Sequence, residues 1–133
     1  MTKKEFEKLH QICKKSWKSL AKTGDCNKPS ELDVFRNDCP ACELANRAKY
    51  LEYSQSLCKH CPITRWRELS IARHKYYAVC ELAGEPYYKW MWYNCGLATS
   101  KKLAEEIANL EWKYLPIYKE VAFPASLLEV KIK

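Results

Sequence analysis

The chain has 133 residues, 47% hydrophobic and 29% charged, and carries a formal net charge of +7 from 23 Lys and Arg against 16 Asp and Glu. Such a length suits about one domain, and an ordinary apolar fraction excludes wholesale disorder. No apolar run approaches the roughly 18 residues that span a bilayer, and Met1-Thr2-Lys3-Lys4-Glu5-Phe6 lacks the apolar stretch of a signal peptide, so a cytoplasmic protein with no membrane partner is expected.

In chain order, Thr2 to Lys22 is the first predicted helix, with Thr2 and Glu5 spaced as a capping box and Gly24 as its stop. Phe6, Leu9, Cys13, Trp17 and Leu20 recur on one face, which should be buried. The opposite face carries Lys3, Lys4, Lys8, Lys14, Lys15, Lys18 and Lys22 against Glu5 and Glu7. Asp25 to Asp38, with Pro29 and the apolar pair Val34 and Phe35, is predicted to be a connector with one helical turn. Cys39-Pro40-Ala41-Cys42 then opens a helix bearing Leu44, Ala45, Ala48 and Leu51, proline being favoured in a first helical turn.

The arrangement recurs at Cys58-Lys59-His60-Cys61-Pro62, where Pro62 opens a predicted helix carrying Trp66, Leu69, Tyr76 and Cys80, stopped at Gly84. Glu85 to Tyr93 is dense in aromatics and has no clear period. Ser100 to Tyr114 is the last predicted helix, with Leu103, Ile107, Leu110 and Tyr114 on one side and Pro116 beyond it. The tail alternates from Leu128 to Lys133 and is expected to form one edge strand. The fold class is therefore mainly α, with at most one or two short strands. One domain, 1–133, is expected in three parts: a basic amphipathic helix (1–24), a knuckle core (38–83), and an aromatic segment with helix and tail (84–133).

Eight cysteines are many for a cytosolic chain, where clustered thiols hold metal more often than they form disulfides. The pairs Cys39/Cys42 and Cys58/Cys61, with 15 residues between them, match the short end of four-cysteine zinc spacing. A two-residue gap lets both thiolates of a pair reach one ion at about 2.3 Å, and two pairs close a tetrahedron. A closed site of this kind is structural, so Zn2+ is expected as a scaffold that staples the helices. Cys80 could replace one ligand, His60 is expected to be a solvent-facing knuckle residue, and Cys13, Cys26 and Cys95 stand apart, with Cys13 read as a small core hydrophobe.

Cys39-Pro40-Ala41-Cys42, Cys58-Lys59-His60-Cys61-Pro62, Cys80, Pro86-Tyr87-Tyr88-Lys89-Trp90 and the helix with Thr99-Ser100-Lys101-Lys102 together resemble a family of small cysteine-rich proteins of bacteriophage genomes. The likeness runs from about Asp38 to Leu115. It implies a phage-encoded accessory protein acting on a host process in the bacterial cytoplasm, inhibition being one form of that action. It supplies no catalytic residue, and it marks Cys80 as a functional position.

His10, His60 and His74 are the only histidines, none in a recognisable nuclease or nucleophile pattern, so no catalytic residue is assigned and a noncatalytic binding protein is expected. Residues 1–28 carry +5, residues 29–62 −1 and residues 63–133 +3. Lys14, Lys15 and Lys18, with Arg65, Arg67 and Arg73, are the candidate basic contacts. Arg65 to Lys75 is interleaved with Trp66, Tyr76 and Tyr77, a composition that can grip a nucleic-acid backbone and stack on bases. Trp92 and Met91, off the face of Tyr87, Trp90 and Tyr93, are the candidate anchors for a host protein. Engagement of a host protein is the main expectation and sequence-tolerant nucleic-acid binding the alternative.

Overall fold

The Thr2 side chain accepts from the Glu5 amide while the Glu5 carboxylate accepts from the Thr2 amide at 2.8 Å. This reciprocal cap starts α1 (Lys3–Thr23), and Gly24 ends it in the left-handed conformation with φ 73°, its N–H donating to the Leu20 carbonyl. The structure is a computed structural model and describes residues 1–36, 39–54, 56–73, 78–92 and 98–133. The expected stripe of Phe6, Leu9, Cys13, Trp17 and Leu20 is buried, together with Ile12 and Ser16. A connector follows with one 3-10 turn (Ser30–Val34), in which Leu32 and the next residue but two, Phe35, face inward while Val34 faces solvent.

Four shorter helices complete the helical framework among the described residues: α2 (Pro40–Leu51), α3 (Thr64–Ala72), α4 (Pro86–Trp92) and α5 (Ala98–Ala108). None of the described helices is long and apolar enough to cross a membrane. The mainly α architecture matches expectation, and the departures from it have local causes. The helix after Pro62 ends at Ala72, and Cys80 sits instead on a separate 3-10 turn (Val79–Glu81); Tyr76 and Tyr77 lie outside the described residues. The aromatic segment is helical. Pro86 occupies its first position, and the Glu85 carbonyl accepts from the Lys89 amide at 3.0 Å.

The helix expected to reach Tyr114 ends at Ala108 because the chain beyond it pairs elsewhere. Thr64 donates to the Glu111 carbonyl at 2.9 Å and Lys113 to the Pro62 carbonyl at 2.8 Å, forming an antiparallel bridge between Ile63 and Trp112. Tertiary pairing thus overrides the helical period of Leu110 and Tyr114. The expected tail strand is absent: 125–129 form a 3-10 turn, and Leu128 is buried with Val130 and Ile132 packed alongside. With no neighbouring strand among the described residues to pair with, alternation of apolar side chains is met by packing on the helical body rather than by a ladder.

Among the described residues two apolar clusters form the core, and α1 contributes to both. Phe6, Leu9 and Ile12 join Leu32, Phe35, Leu44, Tyr118 and Phe123. About two turns on, Cys13, Trp17 and Leu20 join Ala41, Ala45, Cys58, Cys61, Trp66, Trp90 and the inner face of α5. The second cluster contains an aromatic corner, with the Trp17 and Trp90 rings edge-to-face at 4.9 Å and Tyr87 stacked on Trp90 at 6.1 Å.

Candidate metal centre

Cys39 precedes α2 in extended backbone, φ −141° and ψ 115°, so its side chain lies at the open N-terminal end of that helix. Cys42 is in the first turn. The second knuckle is a 3-10 turn (Cys58–His60) whose Leu57 and Cys58 carbonyls accept from the His60 and Cys61 amides. Cys80 arrives on the turn Val79–Glu81. These separate segments converge: Cys39, Cys42, Cys58, Cys61 and Cys80 all line one cavity of about 240 Å³. Cys13 of α1 lines it too, beside Trp17, Lys28, Trp66 and Tyr87. Cys13 is buried, as a core hydrophobe should be, but its neighbours are the other thiols, a relation that helical spacing alone does not reveal.

The six thiols are free, and their protonation is strongly interdependent. The Cys39 thiol is brought well below its ordinary value, first by the hydrogen bond it receives from Cys42, then, against burial, by the Lys28 charge and the backbone amides of Cys42 and Ala41. Those amides close no ordinary cap hydrogen bond; they act as the oriented dipoles of a helix N-terminus. Cys42 moves the opposite way, because it donates to Cys39 and faces the Cys39 charge. Burial raises Cys61, opposed by the Ile63 amide, and raises Cys58, opposed by the Val79 amide. Burial, followed by the charges of Cys39 and Cys58, pushes Cys80 up to about 12. Cys13 is raised chiefly by burial. Burial first, with the Cys39 charge added to it, therefore keeps the other thiols protonated, and a divalent cation is the agent that reverses such suppression, since a coordinating thiol is deprotonated outright.

The donor set fits a soft or borderline metal ion, but the expected four-sulfur tetrahedron is not assembled. Among the described residues no three Cys, His, Asp or Glu side chains stand close enough to hold one metal ion. Tetrahedral zinc with bonds of about 2.3 Å needs sulfurs about 3.8 Å apart. The thiols line one cavity, so sharing an ion requires them to draw closer together than they stand. Zinc at this cavity is accordingly a proposal and not an observed staple.

His60 differs from expectation in being buried, 6% exposed. Its Nδ1 lies 2.9 Å from the Ser56 carbonyl oxygen and its Nε2 3.1 Å from Glu52 Oε2. Both ring nitrogens are thus taken by oxygen partners, which leaves His60 to brace the second knuckle rather than ligate. Its carbonyl accepts from Tyr118 Oη at 2.6 Å, fastening the 3-10 turn Pro116–Glu120 onto that knuckle. Cys26 also differs: it is disulfide-bonded. Cys95 lies outside the described residues.

The candidate contact residues separate. Trp92 is 73% exposed and Met91 39% exposed, while Trp90 is buried and Tyr87 turns toward the thiol cavity; Tyr93 lies outside the described residues. Tyr88 and Trp92, one helical turn apart, have ring centroids 6.0 Å apart. Of the arginines, Arg67 is only 8% exposed and its guanidinium donates to the Cys61 carbonyl at 3.4 Å, so it supports the knuckle from inside and offers no outward charge. Arg65 grips the Glu85 carboxylate with two bonds, 2.8 and 3.1 Å. Trp66, also buried, donates to the same carboxylate at 2.9 Å. Arg73 is exposed at the end of α3; His74 and Lys75 are outside the described residues. Lys18 pairs with Glu105 of α5, Lys14 is half-buried, and Lys15 is exposed.

Between α1 and the tail runs a groove of about 640 Å³ bordered by Lys4, Lys8, Lys15 and Lys131, with Glu7 and Glu129. Sequence reasoning missed this groove because it assigned the tail to a strand, and it missed Lys28 and Tyr87 at the cavity because neither lies in a cysteine motif. In comparisons with known proteins, no family model, no curated protein and no solved structure matches the chain.

Proposed function

We propose that the chain is a noncatalytic, zinc-stabilised binding protein that engages a macromolecule of its bacterial host through the exposed end of α4. The observation carrying the metal half is the gathering of Cys39, Cys42, Cys58, Cys61 and Cys80 around one cavity. Cys39, Cys42, Cys58 and Cys61 are the proposed ligands, with Cys80 as the substitute. The ion would supply the deprotonating charge that the thiols lack. The binding half is supported by Trp92 and Met91, large apolar side chains turned to solvent on a helix whose inner residue Trp90 is anchored in the core. Exposed aromatics on a rigid support are the residue type that dominates protein interfaces. A host partner, and action as an inhibitor in the bacterial cytoplasm, follow from the resemblance to phage proteins.

The alternative is sequence-tolerant nucleic-acid binding. Its specific support is the lysine-bordered groove along α1 and the charge of +5 within residues 1–28. Capture from a bacterial lysate by wild type and Trp92→Ala, with and without nuclease, separates the two. A protein retained by wild type after nuclease and lost by Trp92→Ala is the expected result. The proposal fails if only nucleic acid is retained, Trp92→Ala captures it equally, and its affinity falls steeply between about 50 and 200 mM salt.

A further inference from the structure

Lys28 reaches the thiol cavity from the connector behind α1, two residues after the disulfide-bonded Cys26. Its Nζ donates to Tyr87 Oη at 3.2 Å and lies 5.0 Å from the centroid of the same ring. The residue is half-buried, and no carboxylate forms an ion pair with it among the described residues. A partly desolvated ammonium with no carboxylate partner is costly unless another negative charge faces it. Lys28 lines the same cavity as Cys39, Cys42, Cys58, Cys61 and Cys80, and its bond to Tyr87 Oη fixes it there, so the negative charge available to face it is that of sulfur.

We infer that Lys28 is a positioning residue of the metal centre, the counter-charge that makes a four-thiolate site tolerable inside this core. The inference rests on the zinc proposal. Four thiolates around Zn2+ leave a net charge of −2 in a largely apolar pocket; one ammonium halves it. Lysine has three N–H donors, and Tyr87 takes one. Tyr87 fixes the stem and head of Lys28 through its hydroxyl and ring face, so a residue of the aromatic helix α4 is linked to the electrostatics of the knuckles.

The test uses the full chain loaded with Co2+ as a spectroscopic probe, with Zn2+ affinity measured by competition against a chromophoric chelator. Removing a partner of this kind costs about 10- to 100-fold in metal affinity. Lys28→Met is expected to weaken Zn2+ binding by that factor and to shift the sulfur-to-cobalt charge-transfer bands, and Lys28→Arg, which keeps the charge, to stay close to wild type. Lys28→Gln, compared by circular dichroism of the loaded chain, covers a folding failure of the methionine variant. Unchanged affinity and bands in Lys28→Met and Lys28→Gln would overturn the inference while leaving the zinc proposal intact. Equal weakening in Lys28→Arg would also overturn it, since shape and not charge would then be at work. A wild-type chain that takes up neither ion would overturn the zinc proposal itself.

Discussion

Tyr118 shows how single residues brace the second knuckle. It is fully buried, its ring stacks on Phe6 at 5.7 Å, and its hydroxyl donates to the His60 carbonyl. Burial, followed by the Cys61 charge, keeps that hydroxyl protonated far above the usual tyrosine range. Tyr118→Phe keeps the ring and strands a buried carbonyl, at an expected cost of about 1–3 kcal/mol, read as a lower midpoint in urea. Glu85 does comparable work between α3 and α4. Arg65 first, and then Trp66, hold its carboxyl below the ordinary value of 4.5. A carboxyl depressed on folding contributes stability above its unfolded value, and that contribution disappears as pH falls through the folded value. Glu85→Gln should therefore lose about 1–2 kcal/mol at pH 7, and the gap to wild type should close in urea titrations taken below pH 4.5 toward pH 3. A gap that persists at pH 3 would show that packing, and not ionisation, makes the difference.

At the scale of elements, α1 was legible because its cap, its stripe and its stop agree with one another. Leu9 is completely buried within that stripe, and Leu9→Ala should cost about 2–5 kcal/mol by thermal or urea unfolding. The ends of α3 and α5 were not legible, since the pairing of Ile63 with Trp112 and the turn carrying Cys80 are tertiary choices that periodicity cannot register. Helix α4 escaped notice for a different reason. It has seven residues, too few for a period, and its aromatics divide between Trp90, buried, and Trp92, exposed, with Tyr87 and Tyr88 half-buried. The exposure expected of Trp92 and Met91 still emerged, because it followed from their offset from Trp90.

For the molecule as a whole, the four cysteines grouped by their spacing, and Cys80 with them, line one cavity, while no three of them stand as a metal-holding group among the described residues. Cys13, Lys28 and Tyr87 were not legible in the spacing, because the packing of α1, the connector and α4 on the knuckles brings them there. On the zinc proposal, this gathering makes the chain depend on metal. Six thiols, three tryptophan or tyrosine rings and one ammonium line a single cavity at the centre of one of its two apolar clusters. Zinc bound by thiolates contributes on the order of 10 kcal/mol, comparable with the entire stability of a small domain. Stripping it with a chelator should unfold α2 and α3 first, seen as loss of helical circular dichroism and of Trp66 burial. The most direct measurement is elemental analysis of the purified, reduced chain together with a count of reactive thiols. One zinc per chain, with Cys39, Cys42, Cys58 and Cys61 protected from alkylation until chelator is added, is the expected result; a metal-free folded chain whose four thiols all alkylate freely would refute the zinc-stabilised centre.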